Sequence, residues 1–143
     1  MNDMTDKELD EALALEVMGW HEGDTRCYDI INRHFFERGF YFQDSGALVM
    51  PVNEWNPTKD KNQAFEVLSK CIDRKRNAVI HYNIDINYAS IYEYGARGAI
   101  GESKGKNLAR AICEAVLMAK RGEEITKKVA EDMLGGAPVE DGQ

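Results

Sequence analysis

Apolar positions recur at helical spacing in some stretches of this chain and at strand spacing in others. Thr5-Asp6-Lys7-Glu8 places a hydroxyl at a cap position and a carboxylate three residues later, a capping box. Leu9, Ala12, Leu13, Glu16, Val17 and Trp20 then share one face, with Glu16 at its edge or paired. The pattern predicts a helix from about Asp6 to Met18, ended by a left-handed turn at Gly19. Trp20 folds back as a plug in the core. Phe40–Phe42 and Leu48–Val52 flank the turn residues Asp44-Ser45-Gly46 and predict a hairpin. Ile30-Ile31 and Phe35-Phe36 are apolar pairs, and Asn32–Glu37 reads as strand or as a helical turn. Asn56-Pro57-Thr58 announces a second helix, capped by Thr58, or by Asp60 with Gln63 three residues on. Its buried stripe is Ala64, Phe65, Leu68 and Ile72, with Val67 and Cys71 alongside.

Asn77 to Tyr94 predicts sheet. Ala78, Ile80 and Tyr82 point one way, Val79 and His81 the other. In the next strand Tyr88, Ser90, Tyr92 and Tyr94 oppose Ala89, Ile91 and Glu93, and Asn83–Asn87 makes the connection. Leu108, Ala111, Ile112, Ala115, Val116 and Ala119 mark a third, Ala-rich helix. Gly122 is expected to end it, before a short fourth helix over Glu124–Leu134 carrying Ile125, Val129 and Met133. Helices cannot bury their stripes alone, so the expected class is α/β (α+β): an antiparallel or mixed sheet with helices packed on it, an ABA sandwich. Residues 1–134 are expected to form one domain and 135–143 a disordered tail.

Length and charge narrow the function. A chain of 143 residues buries roughly 68–70% of its unfolded surface, enough for a core. The formal net charge of -7 argues against general binding to duplex nucleic acid, which needs many cations facing phosphates. No long apolar run predicts a membrane span, and the acidic first residues do not read as a signal peptide. Cys27, Cys71 and Cys113 form no CxxC pair, which favours reduced thiols in a cytoplasm and no metal site.

The local exception to the acidic balance is Gly95–Asn107. Arg97, Lys104, Lys106 and the following Arg110 stand there against one acid, Glu102. A glycine-punctuated basic loop running into a helix N-terminus is either a solvated loop or a phosphate seat. The phosphate seat is the reading taken. Arg97 and Arg110 then contact a pyrophosphate, Lys104 and Lys106 close over it, and Asn107 offers an amide to a ribose or base. Tyr82 and Tyr92, with Tyr88 and Tyr94, are either core or a stacking platform for a base. The loop is not a P-loop, since Asn107 follows Gly105-Lys106 where Ser or Thr is needed. It also lacks the Gly-x-Gly of a dinucleotide fingerprint. His21, His34 and His81 have no metal spacing, and no nucleophile constellation is present. No catalytic residue, metal or cofactor is expected.

Three segments carry a resemblance. They are Glu8-Leu9-Asp10 through Val17-Met18-Gly19-Trp20, then Trp55-Asn56-Pro57-Thr58 with Ala64-Phe65-Glu66-Val67-Leu68, then Ala109-Arg110-Ala111-Ile112-Cys113-Glu114-Ala115. In this order they resemble the small phage proteins called phage ABA-sandwich or NinX-like, over about half the chain. The layout is also similar to the Thoeris anti-defence sponges of the first type. That resemblance implies a homo-oligomer in the cytoplasm of the bacterial host. It would sequester a nucleotide-derived signal, a cyclic ADP-ribose isomer or a cyclic oligonucleotide, without cleaving it. The glycine-rich stretch at 95–106 departs from the short form of the family. Two other readings stand beside this one: a phage protein–protein interaction module that blocks a host factor through its acidic tail and first helix, and an enzyme acting on nucleotides.

Overall fold

Thr5 opens the first helix as its sequence predicts. The structure, a computed structural model, describes residues 3–24, 28–29, 34–35 and 38–135. Thr5 accepts from Glu8 N–H while the Glu8 carboxylate accepts from Thr5 N–H, closing the capping box around α1 (Asp6–Ala12). The helix continues over Leu13–Val17 as a π-turn, with Met18 N–H donating to Leu13 O. The wider turn rotates the buried face, so Leu9, Asp10, Leu13 and Ala14 are buried while Val17 is only half-buried. Gly19 at φ 75° ends the run, and Trp20 turns into the core.

Two three-stranded antiparallel sheets and one two-stranded pair follow among the described residues. The first pairs β1 (Trp20–Asp24), β4 (Arg38–Phe42) and β5 (Leu48–Pro51) in the order β1-β4-β5. Its β4–β5 hairpin turns where expected: Gly46 at φ 72° donates to Phe42 O, and Phe42 donates to Ala47 O. The two-residue strands β2 (Tyr28–Asp29) and β3 (His34–Phe35) pair with each other, so His34–Phe35 is strand rather than helical turn. The rest of the expected turn, and Ile30-Ile31 before it, lie outside the described residues, as does the tail from 136.

The second sheet is β6 (Arg76–His81), β7 (Asn87–Glu93) and β8 (Ala99–Gly105), with β7 central. Ala89 and Ile91 are fully buried on the face that meets α3 (Leu108–Gly135). Between them and the first sheet pack α1, its π-turn and α2 (Lys61–Cys71). Asp60, not Thr58, caps α2, accepting from Asn62 and Gln63 N–H. The buried stripe of α2 is Ala64, Val67, Leu68 and Cys71. Phe65 lies one residue off that face and is exposed, and Ile72 follows the helix half-buried, against expectation for both. The chain is thus α+β, with helices packed on antiparallel sheet.

Two expectations about the last third fail. The stretch 95–106 is not an open loop: Ala99–Gly105 is strand β8, paired along β7 from Asn87↔Gly105 to Tyr92↔Ala99. Gly122 does not end a helix, and no separate fourth helix exists. α3 runs unbroken to Gly135, about 42 Å. Gly122 lacks the positive φ of a C-terminal cap, and Lys120 bridges it by pairing with Glu123 and Glu124. No helix among the described residues is long and apolar enough to cross a membrane.

Candidate functional site

Asn107 and Arg110 are structural in this molecule. Asn107 precedes α3 and accepts from Arg110 N–H at 3.3 Å, an N-cap. Its amide nitrogen donates to Thr58 O at 2.9 Å, tying α3 to the segment before α2. The Arg110 guanidinium is fully engaged. It pairs with Asp6, donates to Met4 O at 2.7 Å, and pairs with Glu114 at 2.9 Å. Burial works against this charge, but Asp6 and Glu114 outweigh it and hold its pKa up. Glu114 is itself buried and accepts from Ser103 Oγ. Arg110→Ala therefore leaves a buried carboxylate without its cation. We expect a loss of about 1–3 kcal/mol in denaturant unfolding, and no change in ligand binding.

Arg97 does not meet Arg110. It lies exposed in the turn between β7 and β8, while Arg110 sits beyond the other end of β8. Seven strand residues separate them, about 23 Å. The pyrophosphate clamp expected from these two arginines is not assembled. Tyr82 is also placed apart: just after β6, its ring lies 5.2 Å from Lys61 Nζ of α2.

The segments behind the family resemblance converge on one structural knot. Trp55 Nε1 donates to Asp10 O at 2.8 Å, and Thr58 N–H donates to Asp10 Oδ1 at 3.0 Å. Burial pushes the Asp10 carboxyl above its ordinary range, while the Thr58 N–H pulls the other way. Trp20 packs edge-on against Trp55, ring centroids 4.7 Å apart. Asn107 closes the knot from α3 through Thr58 O. A cleft of about 280 Å³ beside it is lined by Lys7, Val52, Asn53 and Lys59 among others. Its aromatic floor, Phe40 and Trp55, is almost wholly buried and offers a ligand little surface.

What remains is the outer face of β6–β8. Side chains alternate along each strand, so Tyr88, Ser90 and Tyr92 project away from α3. Register sets Val79 and Glu102 beside Ser90, and His81 and Lys104 beside Tyr88. No helix or sheet among the described residues packs over this face. The His81 and Tyr88 rings lie 5.9 Å apart, and the Tyr88 hydroxyl donates to Glu102 at 2.8 Å, which engages that acid. Lys104 is exposed and makes no ion pair with the described residues, and the same holds for Arg97 and Lys106 at the two ends of β8. Of the expected site residues, the structure thus brings Tyr92 and Lys104 onto one face, with Arg97 and Lys106 at its margins. Tyr88 and His81 complete the face. Their strand alternation was readable in the sequence, but their place beside Lys104 needed the β7–β8 register.

Among the described residues nothing nucleophilic stands out. Cys71 and Cys113 are free and buried, and burial pushes both thiols up, away from reactivity. Among the described residues no cluster of His, Cys, Asp and Glu is arranged to hold a metal ion. Comparisons of the chain with protein-family models, with curated proteins and with solved structures find no match, so the likeness to phage proteins rests on its three segments alone.

Proposed function

We propose that this is a binding protein that takes a planar, phosphate-bearing small molecule on the outer face of β6–β8 and performs no covalent chemistry on it. The observation that carries this is the pair Tyr88 and Tyr92 on one face of β7, half-buried and exposed, with the fully buried Ser90 between them and the exposed Lys104 beside Tyr88. Tyrosine rings offer a base a stacking surface worth roughly 1–3 kcal/mol. A lysine ammonium supplies a point charge for phosphate. Tyr88 and Tyr92 are four strand residues apart, about 13 Å, a span that suits a molecule with two ring systems or a ring and a diphosphate.

The specific form of this reading is a phage protein that sequesters a nucleotide-derived immune signal in the bacterial cytoplasm. Its support is the resemblance in the three segments. Titration calorimetry with cyclic ADP-ribose isomers and cyclic oligonucleotides tests it. We expect saturable heat with at least one of them, and the nucleotide recovered intact after the protein is heated. Tyr92→Ala and Lys104→Gln should each weaken binding by about tenfold, one lost stack or one lost charge contact. Absence of heat with every probe, or undiminished binding by both variants, contradicts the proposal.

A further inference from the structure

Beyond Glu123 the last helix is an exposed overhang, of which Glu124, Thr126 and Lys127 border a groove with Arg76 and Ile100. Every described residue from 124 to 133 is exposed, yet the overhang is not polar all round. Ile125, Val129 and Met133 recur at every fourth position, 65%, 50% and 67% exposed. They prolong the side of α3 that packs on the sheet through Ala111, Ala115 and Ala119. Where α3 leaves the sheet, a groove of about 630 Å³ opens between Arg76 and Ile100 on one wall and Ala119, Gly122 and Thr126 on the other. Gly122 is a poor helix residue, and a Cβ there would meet nothing of its own chain. Packing within the monomer therefore does not require it.

We propose that this overhang is a dimerisation surface, and that its occupant is the same overhang of a second copy, antiparallel about a two-fold axis near Ala130. Charge placement selects the arrangement. Lys128 and Asp132 lie one turn apart on one border of the apolar stripe, while Thr126 and Ala130 on the other border are uncharged. In an antiparallel pair like borders face each other, so Lys128 meets Asp132 of the partner subunit and the reverse contact forms by symmetry. A parallel pair would set each charged border against an uncharged one. The antiparallel register also brings Met133 of the partner subunit over Thr126 at the mouth of the groove, where a flexible thioether side chain adapts to an irregular wall. This surface is separate from the tyrosine face and does not depend on what binds there.

Sedimentation equilibrium of the full chain over a wide concentration series tests the proposal. The mass should rise from 16.2 kDa towards twice that value. Val129→Asp should remain monomeric over the same series with an unchanged thermal melt, since Val129 lies outside the core. Lys128→Asp alone and Asp132→Lys alone should each weaken the dimer by about tenfold, through like charges facing twice per pair. The double exchange should restore wild-type association. A wild-type chain that stays monomeric throughout, or a Val129→Asp variant that still dimerises, overturns the surface. Failure of the double exchange to restore association overturns the antiparallel pairing.

Discussion

Replacing Gly101 by alanine should cost this protein at least about 3 kcal/mol and lower its melting temperature by about 10 °C. Gly101 lies on β8 where α3 crosses the sheet. A Cβ there would overlap the Ala115 carbonyl oxygen and stand 2.9 Å from Ala119 N. Both are backbone atoms of a hydrogen-bonded helix, so neither can swing aside as a flexible side chain would. The helix must move off the sheet, and Ile91, Ile112 and Val116, all fully buried, lose their packing with it. Domains of this kind hold only about 5–15 kcal/mol in reserve, so the effect is large. Gly98 supplies the control. A Cβ at that position meets nothing, and Gly98→Ala should leave the melt nearly unchanged. Thermal unfolding followed by circular dichroism compares the two variants directly.

Trp55→Ala should be comparably severe, about 3–5 kcal/mol. Trp55 is 2% exposed, packs against Trp20, and holds Asp10 O through its indole nitrogen. Its removal leaves a cavity between α1 and the start of α2 and strips a buried carbonyl of its donor. Trp55→Phe separates the two contributions. It keeps most of the ring volume and loses the indole N–H, at a cost of about 1–3 kcal/mol. Urea unfolding of the two variants reads the difference. Equal losses would mean that the hydrogen bond, and not the volume, dominates the knot.

Much of the fold was legible in local chemistry. The capping box at Thr5, the turn at Gly19, the Asp44–Gly46 hairpin and the shared face of Tyr88 and Tyr92 follow from residues a few positions apart. The errors came where distant partners decide. Gly101, Ser103 and Gly105 alternate with Glu102 and Lys104, which is a strand pattern. Its inward positions are small because α3 lies close, so the segment read as a flexible loop. Arg110 read as a free cation because Asp6, its partner, lies 104 residues away in sequence. Asn107 differs in kind: an asparagine directly before the apolar period of a helix is an N-cap signal, and it serves that role here in place of an amide for a ribose or base. Gly122 misled in the opposite sense, since a glycine inside a helix costs only about 1 kcal/mol and flanking ion pairs offset it.

The decisive measurement is a residue-resolved map of binding. Amide chemical shifts of the isotope-labelled chain are followed by NMR as a cyclic ADP-ribose isomer, or whichever nucleotide gives heat, is added. Recognition on the outer sheet face predicts shifts concentrated at Tyr88–Tyr92 and Glu102–Lys104, with Asn107–Arg110 and the Lys7–Lys59 cleft unmoved. Shifts centred on Asn107–Arg110, or no saturable shift with any of these nucleotides, would contradict it.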